Sequence, residues 1–185
     1  MLNGLSLLWV AFEIWLVARD RSHGKGRVTR DRGTRYLNFA AIAAGITAAG
    51  ILGGSTYLPF PGGRTAGVSW AGFALMVCGF GIRVWAVATL GASFRTTVET
   101  HSNQKVVRSG PYRRLRHPSY SGLLLMCLGY GVAVQNWLAL GIAVGLPLAA
   151  LLYRIRVEED ALITSLGADY VEYKRSTKRL IPWVW

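Results

Sequence analysis

Apolar residues run through this chain in blocks, without the alternating or one-sided patterns of a water-soluble fold. Residues 5–17, 36–58, 68–90, 120–134 and 137–152 are nearly free of charge. A soluble helix cannot sustain such runs, because one of its faces has to meet water. The blocks predict an all-α, polytopic membrane protein with five transmembrane helices. The second and third blocks, about 23 residues each, would extend about 34 Å, enough to cross a hydrocarbon core of roughly 30 Å. Their small residues, Ala40, Ala41, Ala43, Ala44, Gly45 and Ala48 and then Gly72, Gly79 and Gly81, suit close helix packing in lipid.

The last two blocks differ. They hold only about 15 and 16 residues and are separated by Gln135 and Asn136 alone, which predicts a short helical hairpin. Such short spans would keep their flanks close to the membrane surface. Beyond residue 152, Ile155, Val157, Ala161, Leu162 and Leu166 continue a helical spacing, so the hairpin is expected to extend into the cytosol and stop at Gly167. Pro147 is a candidate kink. Trp183 and Trp185 suit an interfacial return of the chain's end.

Charge decides the orientation. The 185 residues carry a formal charge of +12, which in a soluble chain would suggest nucleic acid. Here the cations fall in two of the connections: Arg19, Arg21, Lys25, Arg27, Arg30, Arg32 and Arg35, then Arg95, Lys105, Arg108, Arg113, Arg114 and Arg116. The other connections carry almost none. Basic short loops stay cytosolic, which predicts an N-terminus outside, a C-terminus inside and the chemistry on the cytosolic side. Membrane lipids are the expected counter-charge, and no nucleic-acid partner is expected. The first block has no basic residues ahead of it and carries Glu13, so it reads as a retained anchor rather than a signal peptide. Cys78 and Cys127 read as small buried hydrophobes, and His23, His101 and His117 are too scattered to predict a metal site. Two charges lie inside spans. Arg83 is expected to snorkel to the interface, whereas Glu13 could pair with Arg83, meet a substrate headgroup or be buried protonated.

Candidate chemistry concentrates between residues 104 and 122, reading QKVVRSGPYRRLRHPSYSG, and in RIRVEED at 154–160. Pro111 and Pro118 suit helix starts, so this stretch predicts two short turns feeding the fourth helix. Tyr112, His117 and Tyr120 add flat, polar-tipped rings that a simple basic loop does not need. Arg154 and Glu158 stand four residues apart on one helical face. Rings for stacking, a carboxylate for ribose or amino groups and an arginine fork for a substrate carboxylate together suit a cationic, nucleotide-like ligand beside an anionic acceptor. The alternative for residues 154–160 is a solvated ion-pair network at a helix exit.

The run RHPSYSG at 116–122, preceded by GPY at 110–112 and followed by RxxxEE at 154–159, GxxYxxYK at 167–174 and RLIP at 179–182, resembles the isoprenylcysteine carboxyl methyltransferase family of integral membrane enzymes. The resemblance covers roughly residues 90–182. It implies a three-helix scaffold over 1–90 and a cofactor-binding and catalytic region over 91–185. It also implies S-adenosylmethionine as methyl donor, held by Glu99, Gln104, Lys105, Val106, Val107, Tyr112, His117, Pro118, Ser119, Tyr120 and Glu158. Arg154 matches the position that engages the substrate's carboxylate. The implied partner is a lipid-modified or amphipathic small substrate. Glu99 and the Gln104-Lys105 pair depart from the eukaryotic pattern, where an uncharged amide and a less basic pair are usual. Competing readings keep the cofactor but methylate a phospholipid amine or a small thiol, or replace it with NADPH in a sterol-type reductase. A membrane scaffold without catalysis is a third.

Overall fold

The computed structural model describes residues 2–23, 28–29, 33–55, 57–62, 64–91, 94, 99–100 and 106–185. In chain order the elements are α1 (Leu2–His23), β1 (Val28–Thr29), α2 (Thr34–Gly53), α3 (Ala66–Leu90), β2 (Glu99–Thr100), a 3-10 turn (Gly110–Arg113), α4 (Pro118–Val134), α5 (Trp137–Leu166) and α6 (Ala168–Ser176). The architecture is helical, as the apolar blocks predict. Among the described residues it adds α6 beyond Gly167 and a two-residue antiparallel ladder between β1 and β2, in register Val28 to Thr100 and Thr29 to Glu99.

Helix ends follow local chemistry. Thr65 caps α3 by accepting from the Val68 amide, and Asn136 caps α5 by accepting from the Ala139 amide at 2.9 Å. Pro111 opens the 3-10 turn and Pro118 opens α4, where their missing amides cost nothing. Gly167, at φ 56°, ends α5 as expected. Pro147 lies inside α5, which runs on through it as one helix. The second block was expected to reach residue 58, but α2 ends at Gly53, where Gly54 turns its amide back to the carbonyls of Ile51 and Leu52.

Among the described residues, α2, α3 and α5 are long and apolar enough to cross a membrane, and α4 is an apolar helix of 17 residues. α3 and α4 touch along their backbones. A Cβ built on Gly79 would lie 2.6 Å from the Gly122 carbonyl oxygen, and one on Gly129 would lie 2.5 Å from that of Gly72. Two glycine pairs, seven residues apart on each helix, thus set the interhelical distance. Gly81 meets nothing, so its expected packing role is not realised. Cys127 is buried, but Cys78 is exposed on the outer face of α3, where an apolar side chain can meet lipid instead of protein.

Arg83 departs furthest from expectation. It does not snorkel but is 6% exposed, because a carboxylate lies within reach inside the bundle. Its Nε and Nη2 donate to Glu13 at 2.6 and 2.8 Å, and its Nη1 donates to the Ser119 hydroxyl at 2.8 Å. Trp9 also donates to Glu13, at 3.0 Å. A two-pronged pair of this kind satisfies both charges where water cannot. It ties α1 and α3 to the first turn of α4.

At one end of the bundle, Gln135 exchanges hydrogen bonds with Thr65 and donates to Ser69, joining the α2–α3 connection to the α4–α5 turn. At the other, residues 177–180 lie against 114–117: the Arg116 amide donates to the Lys178 carbonyl at 2.7 Å, and the His117 amide to that of Arg179 at 3.1 Å. The Ser121 hydroxyl donates to the Leu180 carbonyl at 2.6 Å. The glycine contacts give a test with its own control. Gly79→Ala should lower the melting temperature in detergent by an amount corresponding to about 1–3 kcal/mol, whereas Gly81→Ala should leave it unchanged or slightly raised.

Candidate functional site

The strap between residues 177–180 and 114–117 holds the RHPSY run at the mouth of α4, and α5 passes beside it. Tyr120, in the first turn of α4, points its hydroxyl at α5. There it accepts from Arg154 Nε at 2.7 Å and donates to Glu158 Oε2 at 2.7 Å. Arg154 and Glu158 share a helical face, as their spacing predicts, and one phenolic oxygen joins them. Arg154 Nη1 also donates to the Thr34 hydroxyl at the start of α2, at 3.1 Å. The His117 imidazole stacks on the Tyr120 ring at 5.4 Å and 6° between planes.

Glu158 and its neighbour face different surroundings. Glu158 keeps a side chain 28% exposed. Glu159 is 2% exposed, so the solvated ion-pair reading fails for it, as it does for Arg154 at 4%. Around Glu159 stand Arg116 Nε at 2.8 Å, Arg179 Nη2 at 3.1 Å, Lys174 Nζ at 3.3 Å and His117 Nε2 at 3.5 Å. Burial would by itself raise this carboxyl, but its contacts with His117, Arg179 and Arg116 outweigh burial and hold it well below the usual carboxylate range. Arg116 also donates to the carbonyls of Lys174 and Thr177. One buried acid therefore gathers the RHPSY run, α5, α6 and the C-terminal strap.

Tyrosines close the shell. Tyr173 donates to the Tyr112 carbonyl at 2.7 Å and lies 3.2 Å from that of Leu115, and burial pushes its hydroxyl up to about 12. Burial, and then Glu158, raise the Tyr112 hydroxyl. Burial, and then Glu159 and Glu158, raise that of Tyr170. All three remain neutral donors through the neutral range. Two buried polar atoms here make no hydrogen bond among the described residues: His117 Nε2 and the Tyr170 hydroxyl. His117 Nε2 faces Glu159, so the unmatched Tyr170 hydroxyl and the partly open Glu158 carboxylate beside the stacked His117 and Tyr120 rings are the groups suited to a cationic ligand.

The structure brings Tyr112, His117, Pro118, Ser119, Tyr120, Arg154 and Glu158 into one region. Val106 and Val107 are half-buried just ahead of the 3-10 turn. Glu99 belongs to β2, which packs beside α5. Gln104 and Lys105 lie outside the described residues. Thr34, Tyr170 and the cations gathered on Glu159 were missed as a group, although Arg116, Lys174 and Arg179 stand inside the quoted motifs. A small cavity of about 30 Å³ lies between Arg154, Tyr120, Arg83, Glu13 and Arg35. Glu13, Arg35, Phe39 and Ile42 also line a groove of about 540 Å³ between α1 and α2, whose remaining walls include Trp9, Val10, Ile14, Tyr36 and Ile46. The two spaces are neighbours that share those four lining residues.

Comparison with known proteins gives a consistent picture. The model of the isoprenylcysteine carboxyl methyltransferase (ICMT) family matches residues 71–164, just over half of the chain. A protein-S-isoprenylcysteine O-methyltransferase of Saccharomyces cerevisiae is 36% identical over 115 residues, covering 61% of this chain and 48% of that protein. A probable one from Oryza sativa subsp. indica is 34% identical over 120 residues, with 63% and 62% covered. The Homo sapiens protein is 31% identical over 121 residues, with 63% and 42% covered. The matches thus span about two fifths to three fifths of these relatives. A solved structure of a eukaryotic intramembrane Ras methyltransferase ICMT superposes with a TM-score of 0.67 over 99% of this chain and 66% of that one, at 21% identity, which shows a common fold.

The Glu159 cluster predicts a pH dependence. A carboxyl held below its ordinary value of 4.5 stabilises the fold above that pH and loses the contribution as pH falls beneath it, because the unfolded chain then binds the proton first. Glu159→Gln should cost about 3 kcal/mol at neutral pH by leaving Arg116 buried without its partner. It should also flatten the loss of melting temperature below pH 4.5 relative to the unsubstituted chain.

Proposed function

The chain belongs to the isoprenylcysteine carboxyl methyltransferase family, and from that premise we propose that it transfers a methyl group from S-adenosylmethionine to the carboxylate of an isoprenylcysteine-like substrate. The observation that carries this reading is Arg154: a buried guanidinium lining a cavity that shares four wall residues with an apolar groove between two helices. An anionic head beside Arg154 and a lipid tail along α1 and α2 is the substrate such a space fits. A phospholipid amine or a small thiol is a poorer match to a buried cation.

S-adenosylmethionine would supply a methyl group activated by a sulfonium. Tyr112, His117, Pro118, Ser119, Tyr120 and Glu158 would hold that donor, with Glu99, Gln104, Lys105, Val106 and Val107 completing its contacts. Arg154 would fix the acceptor carboxylate, and Tyr120, bonded to both Arg154 and Glu158, would keep acceptor and donor in one register. A carboxylate is already ionised at neutral pH, so no residue has to take a proton. Catalysis is then chiefly alignment, which can supply many orders of magnitude in effective concentration.

The same reading divides the chain into a scaffold over 1–90 and a catalytic region over 91–185. It crosses the membrane five times, with α4 and α5 as the final hairpin, the N-terminus outside and the site in the cytosol. The exposed Val10, Ile14 and Tyr36 along the α1–α2 groove support sideways entry of the tail from the bilayer.

Radiolabelled S-adenosylmethionine with a farnesylated cysteine derivative tests the reaction. The product should release its label as methanol in mild base, as a methyl ester does; base-stable label would assign an amine or thiol acceptor. Calorimetry should detect S-adenosylmethionine and not NADPH. Glu158→Ala should weaken the cofactor about tenfold or more. Arg154→Ala should keep cofactor affinity and lose about 100-fold or more in turnover. A tail-less analogue that reacts at the full rate would refute sideways entry.

A further inference from the structure

Residues 181–185 form a small exposed hydrophobic turn that the transfer reaction does not use. Ile181 is 53% exposed, Trp183 78% and Val184 69%. The turn is closed by the amides of Leu180 and Ile181, which both donate to the Trp185 carbonyl at 2.9 Å. It is therefore an ordered presentation of apolar side chains. Cations lie against its rings: the Arg114 guanidinium stands 5.4 Å from the Trp183 ring and that of Arg179 stands 5.2 Å from the Trp185 ring. Exposed Arg113 and Lys178 add positive charge beside them.

The depth of the turn is fixed by the strap. Ser121, one residue into the apolar block of α4, donates to the Leu180 carbonyl at 2.6 Å. The turn consequently begins at the level where the apolar block begins. Tryptophans with adjacent arginines at that level match the headgroup zone, where an indole can bury its body and the guanidinium can meet phosphate.

We propose that residues 181–185 are an interfacial anchor that binds anionic lipid headgroups. Arg179 carries the consequence inward, since the guanidinium that lies on Trp185 also donates to Glu159 at 3.1 Å. Seating the turn holds Arg179, and Arg179 holds the acid under His117. Anionic lipid therefore stabilises the cluster around Glu159, whatever reaction the neighbouring site performs.

The test places a spin label at Val184→Cys in a Cys78→Ser background, since Cys127 is buried, with Thr164→Cys on the exposed last turn of α5 as the aqueous reference. The protein is held as one copy per nanodisc, with phosphatidylcholine alone or mixed with phosphatidylglycerol. The ratio of oxygen to nickel-chelate accessibility at position 184 should exceed that at 164 several-fold. Adding phosphatidylglycerol should raise the melting temperature of the unsubstituted protein, and Trp183→Ser with Lys178→Gln should abolish that rise. Water-like accessibility at 184 in both lipids would overturn the proposal. So would a label shielded from oxygen and nickel alike, which would mean that protein covers the turn. A melting temperature indifferent to phosphatidylglycerol would overturn it as well. None of these measurements requires methyl transfer.

Discussion

A single phenolic oxygen connects the two halves of this site. The Tyr120 hydroxyl takes a hydrogen bond from Arg154 and gives one to Glu158, so a cation and an anion one helical turn apart are held at fixed positions by a residue from another helix. Arg154 is held a second time by the Thr34 hydroxyl, so the Tyr120 oxygen fixes its orientation relative to Glu158. Neutral Tyr, with one donor and one acceptor direction, can satisfy both without adding charge to a buried place. For the proposed methyl transfer, which would depend on alignment more than on proton transfer, such a link would matter more than an acid or base.

The rest of the bundle keeps Tyr120 where it is. The backbone contact of Gly79 with Gly122 brings α3 and α4 together next to it, and Arg83 reaches across to Ser119 beside it while pairing with Glu13. From the other side, the strap at 177–180 and the cations around Glu159 press the RHPSY run against α5. The paired charges in the bundle have no water to fall back on, so each is strongly tied to its partner, and loss of one member strands the other. The geometry of the proposed site and the stability of the fold are thus held by the same contacts.

Much of this was legible in the sequence. Blocks of apolar residues located the long helices, because lipid demands unbroken runs, and Gly167 and the two prolines marked ends that backbone chemistry dictates. The spacing of Arg154 and Glu158 was enough to place them on one face. Three features were at most partly legible. Arg83 was expected at the interface, and its pairing with Glu13, seventy residues away in the chain, was only one of the readings open for that acid. Glu159 looks like Glu158 in sequence, yet one helical step turns it from a half-open edge into a cage of cations drawn from three segments. The β1–β2 ladder is too short to leave a strand pattern. In each case the deciding partner is remote, and no local periodicity encodes it.

The apolar groove and the polar site are also neighbours. Residues Glu13, Arg35, Phe39 and Ile42 line both spaces, so two charged residues of the groove also border the cavity beside Arg154. The most direct measurement is steady-state methyl transfer by Tyr120→Phe, which deletes one oxygen and preserves the ring stacked on His117. With melting temperature and helicity retained, kcat should fall by about tenfold or more, since a hydrogen-bonded charge pair loses its shared partner. Wild-type kcat and KM in that variant would contradict the role given to the Tyr120 hydroxyl.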